Sequence, residues 1–148
     1  MLMLYFLILT VLCPDGFERG PNDRCYYFSR GSTYWLSARG GCQSVTDTDL
    51  LILDNEEEAE YIRNRTAQID PDAKWWIGYY DVSIEGVWKW VDCTSSEPWH
   101  ETLWAPGQPD NNGEQDCGIV GDNGQLYDEL CDEYNYRYIC EVTPKGNM

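Results

Sequence analysis

Histidine is almost missing from this chain: His100 is the only one among 148 residues. No GxSxG stretch occurs and no two cysteines stand as CxxC. Nucleophile-and-base chemistry therefore has few parts to draw on. Carboxylates are abundant by composition, so no particular pair marks a glycosidase dyad. Nothing here points to an enzyme, and a lone loop histidine reads as a solvated side chain. Basic residues are scarce as well, 10 Lys and Arg against 26 Asp and Glu, for a formal net charge of -16. Without a basic patch to neutralise phosphates, a nucleic-acid partner is excluded. Long apolar runs are also lacking. The longest, Leu2 to Leu12, is too short to span a bilayer, so no membrane partner is expected. It stands where the h-region of a signal peptide belongs, and residues 1–12 read as such a signal or its remnant, although no Lys or Arg precedes it and no small-x-small cleavage site follows. Internal repeats, linkers and low-complexity stretches are absent.

What is present is aromatic and rich in cysteine. A hydrophobic fraction of 43%, with seven Trp and eleven Tyr, is enough for a real core. The length has room for one domain. Seven cysteines without a histidine partner set predict disulfides, not zinc. The sequon Asn64-Arg65-Thr66 fits the same oxidising compartment, so a secreted, extracellular protein is expected. The acidic surplus suits either a cation binder or a solvated surface, and most of these carboxylates belong to the second class.

Local patterns predict an α+β domain with two helices, mostly antiparallel strands and one long loop. Cys25 to Ser29 opens as an aromatic strand. Trp35, Ala38 and Cys42 recur at helical spacing from Ser32 to about Val45, with Ser32 or Thr33 available as N-cap. Asp54-Asn55-Glu56-Glu57-Glu58 begins a second helix: an Asx cap followed by carboxylates that favour the positive end of the helix dipole. Ala59, Ile62 and Tyr61 then face the core, and the acidic triplet is a helix start, not a metal site. Trp75 to Tyr79 reads as a buried strand, Val87 to Val91 as a second with period two. Cys117 to Val120 and Tyr136 to Glu141 are strands too. Between Cys93 and Asp116 the pattern dissolves into Pro, Gly, Asn and Ser, and so long an irregular stretch inside a compact domain is usually functional.

These signals, in this order, resemble the C-type lectin-like family over Cys13 to Glu141. The residues that carry the resemblance are CPDGF at 13–17, CYYFS at 25–29, the helix Trp35–Cys42, and Trp75-Trp76-Ile77-Gly78-Tyr79. Trp104-Ala105-Pro106-Gly107, Gln108-Pro109-Asp110, Asp116-Cys117, Tyr127-Asp128 before Cys131, and Tyr138-Ile139-Cys140-Glu141 complete the set. The resemblance implies a domain over 13–142 with a short tail at 143–148. It also implies the pairings Cys42–Cys140, Cys117–Cys131 and, in the long form of the fold, Cys13–Cys25. Closing a loop of roughly 100 residues with the first of these stabilises by about 4–5 kcal/mol in the chain-entropy model. Cys93 is left over, and an odd cysteine in a secreted protein points to an interchain bridge, here a homodimer, or to a free thiol.

The resemblance also implies a calcium-dependent carbohydrate-binding protein. Calcium takes six to eight oxygens, several of them carboxylates, at about 2.3–2.6 Å. In the family, a cis proline between two oxygen donors aims both at one cation, the role that falls to Gln108 and Asp110. The order Gln-Pro-Asp is associated with galactose-type hydroxyls. Asp128 is a further ligand. The family's carboxylate two residues before the cysteine is Gln115 here, with Glu114 one step earlier, and its Asn-Asp pair is Tyr127-Asp128. The first departure keeps an oxygen but removes its charge, the second removes a donor, and fewer charged ligands should weaken calcium binding. The aromatic residue that often follows the motif is replaced by Asn111-Asn112-Gly113, leaving Trp99 or His100 to lean on the sugar. Asp81 and Glu85, completed by Asn111 and Asp116, match an auxiliary calcium position. Both sites need deprotonated ligands and should lose metal in acid. Innate recognition of glycans is the use implied. The alternative is a lectin-like domain that binds no sugar and recognises a protein or mineral surface.

Overall fold

The computed structural model describes residues 12–143. Most of the apolar run at the start, and the tail from 144, lie outside them; Leu12 itself is exposed. The elements are β1 (Glu18–Arg19), β2 (Cys25–Phe28), α1 (Trp35–Gln43), β3 (Thr48–Leu50), α2 (Glu56–Ile69), β4 (Trp75–Tyr80), β5 (Lys89–Trp90), β6 (Cys117–Val120), β7 (Leu126–Glu129) and β8 (Arg137–Val142). The sheet runs β1-β2-β8-β4-β6-β7, with β3 also on β8 and β5 also on β4. Every pairing is antiparallel except β4 with β8. The α+β architecture is the expected one. Among the described residues no helix is long and apolar enough to cross a membrane.

β4 is the spine. Trp75 to Tyr79 are all buried, because the strand is covered on both faces. Gly78 is required there. Its N–H bonds Leu51 O at 2.8 Å and its carbonyl takes Val91 N–H at 2.8 Å. A Cβ at this position would stand 2.9 Å from the Leu51 carbonyl and 2.8 Å from Val91 Cγ2. The strand expected over 87–91 is shorter than its period suggests. Val87 N–H closes a turn onto Ile84 O, so the chain joins the sheet only at Lys89. Trp88 and Trp90 still point inward, and Trp90 stacks on Tyr79 at 4.1 Å between centroids.

α1 buries Trp35, Ala38 and Cys42, but neither Ser32 nor Thr33 caps it. Thr33 gives its backbone to a bridge with Tyr136, and its carbonyl also accepts the Trp76 indole N–H at 2.8 Å. Tyr34 takes the N-cap position without a side-chain bond. α2 begins as expected, with Asn55 Oδ1 accepting Glu58 N–H at 2.8 Å. Three disulfides close the fold, Cys13–Cys25, Cys42–Cys140 and Cys117–Cys131, the pairings implied by the resemblance.

Glu58 departs from the sequence reading. It is only 1% exposed, pointing inward from the first turn of α2. Its Oε2 accepts Tyr26 OH at 2.9 Å and Arg24 Nη1 at 3.2 Å, while Oε1 has no partner. Glu141 of β8 is buried beside it, holding Ile52 N–H at 2.8 Å and Arg24 Nη1 at 3.4 Å. One guanidinium, paired also with exposed Asp54 at 2.6 Å, thus faces two buried carboxylates. Burial raises the Glu58 carboxyl to about 7 despite Arg24 and Tyr26, and burial with the charge of Glu58 pushes Glu141 well up. A folded-state value above the unfolded one of 4.5 means that the native state binds the extra proton. The stability so gained is full below about 4.5 and is lost as pH rises through about 7. Glu58→Gln should therefore flatten the fall in stability between pH 5 and pH 8, measured by urea unfolding; parallel slopes for the two proteins would rule this out.

Candidate functional site

The long loop between β5 and β6 is not wholly irregular. Pro98–Leu103 forms a 3-10 helix that buries His100 at 4% exposure. Glu97 N–H donates to His100 Nδ1 at 2.8 Å, leaving Nε2–H to donate to Leu53 O at 2.7 Å. The imidazole packs against Trp90, Trp99 and Tyr79. His100 is therefore a core residue that pins the loop, contrary to the solvated or sugar-facing role expected of it, and Trp99 is half-buried against the same core.

Beyond Trp104 the loop folds over the end of β7. The Gln108–Pro109 peptide is cis. Gln108 Oε1 accepts Asp128 N–H at 3.2 Å, and its Nε2 donates to Asp110 Oδ2 at 3.2 Å. Asp128, 3% exposed, accepts the N–H groups of Asp110 at 3.0 Å and Asn111 at 2.6 Å. Asn112 N–H is shared between Asp110 Oδ1 at 3.1 Å and Gln115 Oε1 at 3.0 Å. Burial raises the Asp128 carboxyl, partly offset by those two N–H bonds, with the nearby Asp110 charge adding to it. Gln108, Asp110, Gln115 and Asp128 thus border one pocket of about 160 Å³.

Gln115, not Glu114, turns to that pocket. Glu114 is exposed at φ +61°, and its charge bears on Glu85 instead. Glu129 was missed by sequence reasoning. It lines the same pocket, accepts Gln115 Nε2 at 3.2 Å and Leu130 N–H at 3.0 Å, and takes Tyr136 OH at 2.8 Å. The signal was available in strand alternation, since Glu129 lies two residues from Tyr127 on β7 and so shares its face.

A second cluster lies at the start of the 81–87 loop. One carboxylate oxygen from each of Asp81, Glu85 and Asp116 falls within 4.8 Å of the others, the one such group among the described residues. Asp81 is held by its backbone, with its N–H on Asp116 O at 2.9 Å, and its Oδ2 accepts Gly86 N–H at 2.9 Å. Its Oδ1 is buried without a partner. Burial, then the crowding of Asp116 and Glu85, pushes the Asp81 carboxyl up to about 6, and the Gly86 bond offsets only part of this. Glu85 is raised as well, through desolvation and the charges of Asp116 and Glu114. Among the described residues no Lys or Arg forms an ion pair with these carboxylates, and a donor set made of oxygens fits a hard metal ion. The backbone N–H of Asn111, whose side chain was expected to complete this cluster, donates to Asp128 in the neighbouring pocket. Elsewhere, Asn64 is exposed on α2, whereas the sequon's Thr66 is buried with its hydroxyl on Ile62 O at 2.8 Å. Cys93 is exposed in the turn after β5 and unpaired.

Residues 19–142 match the Lectin C-type domain family. The chain belongs to the C-type lectins. This domain is 35% identical to the hepatic lectin of Gallus gallus over 121 residues, which cover 81% of this chain and 55% of that protein. It is 30% identical to the perlucin-like protein of Mytilus galloprovincialis, covering 88% of this chain and 83% of that one. Among solved structures, the human scavenger receptor C-type lectin carbohydrate-recognition domain superposes with a TM-score of 0.78 at 31% identity, over 90% of this chain and 100% of that one. The chain spans about half the length of the hepatic lectin. The lectin fold accounts for the three disulfides and the loop-borne pocket, and no enzymatic family is indicated.

Relief of the crowded carboxylates gives a direct check. Asp81→Asn should stabilise the metal-free lectin domain by about 1 kcal/mol at pH 7.5, because a neutral amide replaces an orphaned charged oxygen. Since Asp81 is raised to about 6 in the fold, the gain should shrink toward pH 4, where the native carboxyl carries its proton. Calorimetry in chelator measures both, and a loss of stability at pH 7.5 would contradict the electrostatic account.

Proposed function

We propose that this domain is a calcium-dependent carbohydrate-binding lectin of galactose type, acting outside the cell in the recognition of glycans. The observation that carries the reading is the single pocket shared by Gln108, Asp110, Gln115 and Asp128, with Glu129 beside them. Those residues would hold one calcium through carboxylate and amide oxygens, and the cation supplies a hard centre for two neighbouring sugar hydroxyls. The same carboxylates accept hydrogen bonds from those hydroxyls. Glu129 stands next to the neutral Gln115 and makes up the charge that this position lacks. The cluster of Asp81, Glu85 and Asp116 would take an auxiliary calcium, fixing the 81–87 loop against β6. The changes at Gln115 and Tyr127 favour the rival reading, a lectin domain that recognises a protein or mineral surface without sugar.

Retention on immobilised galactose in millimolar calcium, with release by EDTA and weaker retention on mannose, is the expected result; passage through both columns would favour the rival. Glu129→Gln should weaken calcium binding at this pocket about tenfold by calorimetric titration, because one carboxylate of a sparse ligand set is lost. An unchanged titration would remove Glu129 from that set.

A single site of this kind binds a monosaccharide at about millimolar strength, roughly 4 kcal/mol. Linking two copies raises the effective affinity without new contacts. The exposed Cys93 offers that link. Non-reducing electrophoresis should show a dimer that Cys93→Ser converts to monomer, and a monomeric parent protein would dismiss it. Three disulfides and an exposed Asn64 support a secreted glycoprotein.

A further inference from the structure

Arg63 and Ala67 of α2, with Asp70 at its C-cap, follow at i, i+4 and i+7 and share one face. That face borders a groove of about 400 Å³, which the turns at 70–73 and 121–124 also line. Both turns are fixed by short bonds of their own. Ala73 N–H closes on Asp70 O at 3.2 Å, and Asp72 N–H on Asp70 Oδ1 at 3.0 Å. Gly124 N–H closes on Gly121 O at 3.1 Å. Gly124 also lies against the stem of Arg63, where a Cβ would overlap Arg63 Cγ and Cβ. The groove is therefore preformed, and its volume is that of a small-molecule site. Its lining is mixed. Ala67, Pro71 and Ala73 are apolar, while the Arg63 guanidinium forms no ion pair among the described residues. Asn64, the acceptor of the sequon, lines the same groove. It is exposed, and its side-chain amide has no hydrogen-bond partner among the described residues.

We infer that this groove seats the first N-acetylglucosamine units of a glycan carried on Asn64. The inference rests on the extracellular reading and gives the modification a built seat. Attachment forms a bond from Asn64 Nδ2 to C1 of the sugar and breaks the C1–O bond of a polyprenyl diphosphate donor. The diphosphate leaves, and the amide nitrogen gives up one proton. The transfer precedes folding of α2, so the burial of Thr66 on Ile62 O does not oppose it. The acetamido methyl and the C–H face of the ring suit Ala67, Pro71 and Ala73. The hydroxyls and the acetamido carbonyl suit Arg63 and Asp70. A contact this small would hold a free sugar weakly, but the covalent tether raises its effective concentration to about the millimolar range. The seated sugars bridge α2 to the 121–124 turn, which also lends Asp122 to the pocket of Asp128.

The test uses the full chain, expressed behind a secretion signal in eukaryotic cells that keep their glycans in the high-mannose form. Intact mass should show one glycan, abolished by Asn64→Gln. Asn64→Gln should melt about 3 °C below the glycoprotein. Trimming by endoglycosidase to a single N-acetylglucosamine should keep most of that difference. Ala67→Tyr fills the groove without touching the sequon. In its background the glycosylated and Asn64→Gln forms should melt together. A secreted chain with Asn64 unmodified would overturn the inference alone. So would a glycan whose loss leaves the melting temperature unchanged, or a difference that survives Ala67→Tyr. Native protein found in the cytosol of its source, with reduced cysteines and no glycan, would overturn the extracellular reading and this inference together.

Discussion

Two backbone N–H groups, those of Asp110 and Asn111, converge on the Asp128 carboxylate, and the whole binding region hangs on that convergence. A loop of this length has no ladder to hold it, so its backbone donors must find acceptors elsewhere. Asp128 provides both, from a strand paired into the sheet through β6. Gln108 returns the contact by accepting Asp128 N–H. Behind this clamp, His100 anchors the earlier part of the loop to Leu53 O, and Cys117–Cys131 ties β6 to the segment after β7. The pocket is therefore built by a side chain on regular structure reaching out to irregular backbone, which orders the loop where its own sequence cannot.

Apart from the pocket around Asp128, carboxylates crowd one another in two places, and the two are settled differently. At Glu58 and Glu141 the fold supplies Arg24 and the Tyr26 hydroxyl, so the charge is met from within. At Asp81, Glu85 and Asp116 the carboxylates receive, among the described residues, only the Gly86 N–H, and a buried oxygen remains orphaned. The first arrangement joins α2, β2 and β8 and belongs to stability. The second leaves a negative deficit at the rim, at a cost to the empty fold. That asymmetry tells the two groups of carboxylates apart better than their number does, in a chain with a net charge of -16.

Much of this was legible beforehand. The buried strand Trp75–Tyr79, the Asn55 cap and the order of cysteines depend on local pattern and spacing, which a sequence carries directly. Glu58 was not legible, because its position in an acidic first turn is explained equally well by the helix dipole, and only Arg24 and Tyr26, more than thirty residues away, draw it inside. His100 was misjudged for a similar reason: its acceptor is a carbonyl 47 residues earlier. Val87 looked like strand by period, yet a local turn to Ile84 keeps it out of the sheet. At the pocket, Gln108, Asp110, Gln115 and Asp128 line one cavity, and the Asn111 backbone N–H joins them through Asp128. Glu129 belongs to no motif and emerges only from which face of β7 meets the loop.

β2 and β8 lie side by side, with Tyr26 opposite Glu141, whereas β6 and β7 close the other end of the strand order. The first and last strands, β1 and β8, thus both flank β2, and the loop that carries the pocket sits toward the other end of the strand order. A module with that layout is portable. It can be carried on a stalk, or strung between other units, at either terminus without anything being threaded past the pocket.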